Sequence, residues 1–120
     1  MERQDIGSLG EILAQKYLKK KGYRIIETNY RCPMGEIDIV ALHKKCLVLV
    51  EVRTKTSPEY GSPEESITST KALHMERAAE YYRQAHPKAP VDWRIDLIAI
   101  EMDNAGNLMR LEQIESALEE

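Results

Sequence analysis

Two apolar runs rich in isoleucine and valine, joined by three polar residues, constrain this fold more than any other part of the sequence. The runs at 36–42 and 46–54 predict two strands, and the short connection at 43–45 predicts an antiparallel hairpin. Each run carries an acid among its apolar residues, Asp38 in the first and Glu51 in the second. A carboxylate buried among branched aliphatic side chains is costly unless a cation, a hydrogen-bond donor or a metal compensates it. We therefore expect the function of the chain to depend on this hairpin.

Helices and further strands are predicted on both sides of the hairpin. Apolar residues spaced three and four apart predict the helices, and alternating or continuously apolar runs predict the strands. The predicted order is a helix at 7–21, strands at 23–30, 36–42 and 46–54, a helix at 68–85, a strand at 93–101, a turn at 103–107, and a short strand with a helical tail. A right-handed crossover would place the fourth strand parallel to the third. This α-β-β-β-α-β order predicts an α/β three-layer sandwich, with a mixed central sheet of four to five strands flanked by helices.

Length and composition bound the class of protein. The 120 residues, of ordinary globular composition, predict a single domain spanning 1–120. No apolar run reaches the roughly 18 residues that a membrane span needs. The first residues also lack the basic-then-apolar order of a signal peptide. We therefore expect a cytoplasmic protein that does not enter a membrane.

The charged and metal-binding residue types narrow the function further. Two cysteines and three scattered histidines argue against a zinc site or a Cys–His catalytic pair. The net charge of −3 is unlike the basic balance common in nucleic-acid-binding domains. However, several carboxylates around a divalent ion would also make a site acidic, so the balance does not exclude a nucleic-acid partner.

The alternation of strand side chains predicts that the two acids meet. Period two places Glu36 and Asp38 on one face of the first hairpin strand, and Glu51 and Arg53 on one face of the second. Carboxylate oxygens are ligands that Mg²⁺ prefers, and the backbone carbonyl of Val52 is a further candidate ligand. Mn²⁺ can take the same place. Such an ion would lower the pKa of a bound water and offset phosphate charge, while Arg53 would orient the water or the phosphate.

Four blocks of this sequence occur in the order seen in a small bacterial family. They are Ser8-x-Gly10-Glu11, Gly35-Glu36-Ile37-Asp38, Val50-Glu51-Val52-Arg53 and the later Lys71. On these blocks the chain resembles the YraN-like family over about residues 7–101. That family is similar to the archaeal Holliday-junction resolvases of the PD-(D/E)xK nuclease superfamily.

The resemblance implies a fold and an activity. The fold is restriction-endonuclease-like, and the activity is Mg²⁺-dependent hydrolysis of phosphodiester bonds in DNA, at branched structures such as resolvases recognise. By motif position, Asp38 and Glu51 would be metal ligands, and Glu11 would be an accessory acid from the first helix. Because the resolvases work as dimers, the resemblance also implies a homodimer.

Arg53 departs from the superfamily pattern, in which a lysine occupies its position. A guanidinium stays protonated at any useful pH and cannot serve as a general base, although it can bind a phosphate through two N–H groups. Lys55 follows on the same strand face and is a candidate substitute. Lys71, in the first turn of the second long helix, is a further candidate for a phosphate contact.

Structural roles remain open for each of these residues. Glu11 could be the acid of a capping box with Ser8, which needs no metal. Glu51 and Arg53 could form an ion pair that only stabilises the strand, and Lys71 could be an exposed lysine. Glu36 could be an outer partner of the metal site or a solvated residue. Asp96, which also lies among apolar strand residues, is expected to pair with Arg94 or with a helix cation.

Two other classes of function remain as alternatives. The first is a nucleic-acid-binding module that keeps the nuclease fold but has lost the chemistry through Arg53. The second is an adaptor that acts through contacts with an unidentified protein partner, which the acidic balance would suit.

Overall fold

The computed structural model describes residues 6–56 and 61–118. Its elements are α1 (Ile6–Lys20), β1 (Arg24–Cys32), β2 (Gly35–His43), β3 (Cys46–Lys55), a 3₁₀ turn (Glu64–Ser66), α2 (Ser69–Ala85), β4 (Trp93–Met102) and β5 (Leu108–Ile114). The strands form one sheet in the order β1-β2-β3-β4-β5, in which β3 and β4 are parallel and every other pair is antiparallel. The predicted mixed sheet flanked by helices is confirmed. Residues 115–118 form a turn, so the helical tail predicted there is wrong.

Each face of the sheet is covered by one helix. Beneath α1 lies a core cluster that includes Ala14, Leu18, Ile39, Val48, Val50, Ile98 and Ile100. Beneath α2 lies a second cluster that includes Val40, Leu47, Leu49, Met75, Ala79 and Ile95. Because β3 and β4 are buried on both faces, their sequences are continuously apolar rather than alternating. Within the described residues, neither helix is long and apolar enough to cross a membrane.

Asp96 shows how this fold satisfies a buried acid with protein groups alone. The residue is fully buried, and its carboxylate accepts from Arg94 Nε at 3.0 and 3.2 Å. The Gln113 side chain and the Ser116 backbone N–H also donate to it, at 2.9 and 3.0 Å. The expected pairing with Arg94 is confirmed. Asp96 therefore provides an internal comparison for the acids in β2 and β3.

The β2–β3 turn contains two lysines in a left-handed conformation. His43 pairs with Cys46, so the loop consists of Lys44 and Lys45, whose φ angles are 48° and 68°. Two-residue hairpins with both φ values positive are type I′ turns, which favour Asn-Gly. Two lysines in this conformation carry a backbone cost that this preferred pair would avoid.

Replacing the two turn lysines by the pair Lys44→Asn and Lys45→Gly should raise the free energy of unfolding by about 1–2 kcal/mol, because both new residues accept positive φ at lower cost. Urea denaturation would measure the change. The pair Lys44→Gln and Lys45→Gln removes the same charges but keeps the strain, so it should stay within about 0.5 kcal/mol of the parent. An unfolding midpoint for the Asn-Gly variant at or below that of the parent would contradict this view of the turn.

Candidate metal centre

The two hairpin strands separate at the position of the acids. In the described ladder, the β2–β3 pairing ends at Ile39 and Val50, one position before Asp38 and Glu51 would face each other. The Asp38 side chain occupies the gap, where its Oδ2 accepts from the Val52 N–H at 2.8 Å. A strand N–H that would ordinarily serve a sheet ladder is therefore bonded to a carboxylate.

Helix α1 brings a further acid to this gap. Gly10 lies against Thr54 near the end of β3, and a Cβ atom on Gly10 would fall 2.0 Å from Thr54 Oγ1. A glycine is therefore required for α1 to approach the sheet this closely. The next residue is Glu11, and one carboxylate oxygen from each of Glu11, Glu36 and Asp38 lies within 4.8 Å of the other two.

A side-chain amide bridges two of these carboxylates. Asn29 Nδ2 donates to Glu11 Oε2 at 3.2 Å and to Glu36 Oε1 at 3.1 Å. Asn29 lies in β1 opposite Asp38, because the residues on either side of Asn29 pair with the residues on either side of Asp38 in the β1–β2 ladder. Among the described residues, it is the one non-glycine residue inside a strand with positive φ, at 52°. Such a conformation is costly and is typical of positions where neighbouring groups impose it, functional sites included.

Asn29 is a site residue that the motifs did not predict. The available signal was an asparagine inside a predicted strand, where this residue is disfavoured, together with its tolerance of positive φ. Glu36 was expected to be an outer partner of the metal site or a solvated residue, and its role at a metal stays a prediction. Its carboxylate lies in the cluster with Glu11 and Asp38, and it also lies 3.3 Å from Arg31 Nε.

The environment of Asp38 favours its protonated form. Burial raises the pKa of the Asp38 carboxyl to about 7, and the negative charge of Glu51 is the second cause. The hydrogen bond from Val52 N–H lowers the pKa but does not outweigh the two larger effects. At neutral pH, Asp38 therefore keeps a proton for a substantial part of the time. The Asp96 carboxylate has a different environment, because it is paired with an arginine.

Glu51 is held by two cations, one from β3 and one from α2. Its side chain is 6% exposed, and its Oε2 lies 3.3 Å from Arg53 Nε and 3.4 Å from Lys71 Nζ. The ion pair considered for Glu51 and Arg53 is present, and Lys71 joins it from α2 rather than standing alone in solvent. Among the described residues, nothing accepts a hydrogen bond from Arg53 Nε, because its N–H is not aligned with Glu51.

The structure also gives the positions of Ser8, Val52 and Lys55. Ser8 is the third residue of α1 and does not precede the helix, so the capping-box interpretation of Glu11 is wrong. Val52 reaches Asp38 through its N–H, and the proposed ligation by its carbonyl stays a prediction. Lys55, at the end of β3, lines a cavity of about 430 Å³ with residues of β4 and β5 that include Arg110. Its role in nucleic-acid binding also stays a prediction.

The chemistry of the donor set suits a hard divalent cation. The cluster offers carboxylate oxygens, the ligand type that Mg²⁺ and Mn²⁺ bind. The 4.8 Å limit on their separations is close to the roughly 4 Å between opposite oxygens around Mg²⁺, so small side-chain rotations would suffice. The raised pKa of Asp38 indicates that the nearby cations and donors do not balance its charge. A bound cation would take the place of that proton.

Comparison with known proteins identifies close relatives across the whole length. Residues 10–100 match the family described as Uncharacterised protein family UPF0102. A UPF0102 protein of Dehalococcoides mccartyi is 45% identical over 118 residues, which cover 98% of this chain and 96% of the relative. A UPF0102 protein of Moorella thermoacetica is 41% identical over 117 residues, which cover 98% of each chain.

The variant Asp38→Asn should change how stability depends on pH. Because the folded-state pKa of Asp38 is about 7 and its ordinary value is 3.8, the folded protein holds a proton that the unfolded chain has lost between these values. The free energy of unfolding should therefore fall as pH rises through this window. In EDTA, the free energy of unfolding of Asp38→Asn should equal that of the parent at about pH 4. At about pH 8 it should be higher than that of the parent by roughly 2 kcal/mol.

The measurement is urea denaturation across this pH range, with Asp92→Asn as the control at an exposed acid outside the cluster. The control should follow the pH profile of the parent. Parallel profiles for Asp38→Asn and the parent would show that Asp38 carries no excess cost when ionised.

Proposed function

Because this chain belongs to the UPF0102 family, the YraN-like family that its motifs predicted, we propose that its acidic centre is that of a Mg²⁺-dependent DNA endonuclease. The observation that supports the proposal most is the half-buried Asp38, which lies close to other carboxylates and has a pKa raised to about 7. Perturbed acids of this kind are concentrated at functional sites. A purely structural acid in this fold, Asp96, is instead satisfied by an arginine and two further donors.

Four carboxylates would hold the ion in this proposal: Glu11, Glu36, Asp38 and Glu51. When bound, the ion would lower the pKa of a water molecule and offset the charge that develops on the phosphate. Asn29 would keep Glu11 and Glu36 side by side through the two hydrogens of its amide. Val52 would keep the Asp38 carboxylate in the gap between the strands through its N–H.

The two cations beside Glu51 are suited to binding the substrate. Arg53 cannot act as a general base, so its role in this proposal is to orient the scissile phosphate. Its Nε is buried and has no hydrogen-bond acceptor among the described residues, whereas 32% of the whole Arg53 side chain is exposed to solvent. Lys71 would approach the phosphate from α2. Because a phosphate competes with Glu51 for both cations, DNA binding would release Glu51 to bind the metal, and the two ligands would support each other.

The surroundings of the acids favour a polymeric substrate over an enclosed small molecule. Cavities of about 470, 430 and 230 Å³ are lined by residues other than these four acids. The acids instead lie where α1 and the β1–β2 hairpin approach the end of β3, and Glu36 and Asn29 remain accessible to solvent. A backbone that lies across the strand ends would reach them. We further propose a preference for branched DNA and action as a dimer, both of which rest on the resemblance to junction resolvases.

A DNA-binding module without catalysis is the second candidate. Its support is specific, because Glu51 is already neutralised by Arg53 and Lys71 without a metal. In that case the centre would bind DNA with little dependence on Mg²⁺. The two candidates differ in whether any phosphodiester bond is broken.

The proposed activity would be tested with labelled linear, forked, flapped and four-way DNA, incubated with the protein in Mg²⁺ or Mn²⁺. We expect cleavage of at least one branched substrate. Glu51→Gln should lower the rate at least about 100-fold, because several kcal/mol of charge stabilisation would be lost with the metal. Glu76→Gln makes the same chemical change at an exposed position on α2 and should cleave like the parent.

Two results would contradict the nuclease proposal. The first is DNA binding by the parent without cleavage of any substrate, especially if Arg53→Lys gains cleavage, since that would favour a module that has lost its chemistry. The second is equal cleavage by the parent and Glu51→Gln purified in the same way, which would attribute the activity to a contaminant.

A further inference from the structure

We propose that the end of the sheet opposite the acids binds the phosphate backbone of a duplex arm. Six exposed cations, here called the basic end, occupy this region: Lys19, Lys20, Lys21, Arg24, Lys44 and Lys45. This inference deepens the proposed function and rests on it, because it names the surface that would hold the DNA away from the point of cleavage.

Three segments meet to form the basic end. The C-terminal turn of α1 supplies the first lysines, the start of β1 supplies Arg24, and the β2–β3 turn supplies the last two. Arg24 pairs with Leu42 in the β1–β2 ladder, and the Tyr23 ring stacks on the His43 ring with centroids 4.0 Å apart. These contacts fix the two chain segments next to each other. The six positions are therefore one surface, although they are separated in sequence.

The charge of this surface is not explained by its surroundings. The whole chain has a net charge of −3, so six cations at one end of the sheet are a local excess. Two acids approach this surface without balancing its six cations. The charge of Glu115 acts on Lys21, and Asp92 lies near the β2–β3 turn because its carbonyl accepts from the Leu47 N–H at 2.9 Å. Lys21 does bond to the hydroxyl of Tyr17 at 3.1 Å, but that partner is neutral. A polyanion is the kind of partner that this charge distribution fits.

The β2–β3 turn provides an independent observation. Lys44 and Lys45 both have positive φ, a conformation for which Asn-Gly is the preferred pair. The fold therefore does not require lysine at either position. The strained conformation is compatible with a turn that displays two cations at the tip of a rigid hairpin.

The distance from the basic end to the acids suits a duplex. Lys44 is six residues beyond Asp38 along the hairpin, and extended strands advance about 3.3 Å per residue, so the two lie roughly 20 Å apart. This length corresponds to roughly six base pairs at about 3.4 Å each. The exposed edge strand β1 connects the two regions, with Arg24 at the basic end and Arg31 beside Glu36 at the acids.

The test is DNA binding in EDTA, so that neither metal binding nor cleavage contributes. Fluorescence anisotropy would follow a labelled duplex of roughly 20 base pairs from about 50 to about 200 mM KCl. The pair Lys44→Asn and Lys45→Gly should weaken binding roughly tenfold at the lower salt and reduce the salt slope by about 1.8, while leaving stability equal or higher. The pair Lys44→Gln and Lys45→Gln should weaken binding equally. The pair Arg77→Gln and Lys88→Gln, which removes two exposed cations outside the basic end, should bind within about twofold of the parent.

Several results would overturn the proposal. One is that both turn variants bind the duplex like the parent. Another is that the Arg77→Gln and Lys88→Gln pair weakens binding as much as the turn variants do. A third is that the parent does not bind the duplex at all. If the turn variants lost binding to vesicles rich in anionic lipid but still bound DNA like the parent, the surface would be assigned to a membrane instead. Failure of the nuclease proposal is distinguishable, because it would appear as absent cleavage while the turn lysines still control DNA affinity.

Discussion

The structure depends on one unfavourable contact, the close approach of carboxylates at the point where β2 and β3 separate. Asp38 lies in this gap, where it interacts with Glu51 and where one of its oxygens lies within 4.8 Å of an oxygen from each of Glu11 and Glu36. Like charges in a partly dry environment oppose each other, and the raised pKa of Asp38 is the consequence. The surrounding groups each offset part of this cost. None of them removes it, and a divalent cation would.

The sandwich architecture is what allows the four acids to meet. Two acids come from β2 and one from β3, while α1 reaches the sheet edge because Gly10 has no side chain to collide with Thr54. From the opposite face, α2 places Lys71 on Glu51. The two helices therefore contribute groups of opposite charge to one end of the sheet. The hairpin supplies the acids, and the helices determine how much of their charge is balanced.

Much of the fold could be predicted from the sequence, because hydrophobic periodicity reports burial directly. The continuously apolar β3 and β4 are central strands covered on both faces, as their composition indicated. The prediction of a helical tail was wrong because the few weakly apolar residues after β5 do not distinguish a helix from a turn. The convergence of Asp38 and Glu51 followed from strand alternation and a short turn, both of which are local properties.

The remainder of the site depends on contacts between distant segments, which periodicity does not encode. Asn29 was missed because its importance arises from a backbone conformation and from two partners, Glu11 and Glu36. The interpretation of Glu11 as a capping acid was wrong because α1 begins before Ser8. Lys71 looked like an exposed lysine because its partner is on another element. Its contact with Glu51 could be seen only in three dimensions.

The most direct test of the account is a titration of Mn²⁺ into isotope-labelled protein, followed by the paramagnetic broadening of backbone amide signals. If the acids form a metal site, broadening should centre on residues 38 and 51–53 and extend to Glu11 and Asn29. The double variant Asp38→Asn and Glu51→Gln should then abolish the broadening. Diffuse broadening that is the same in the parent and the double variant, with and without DNA, would contradict the account, because the acids would then not form a metal site.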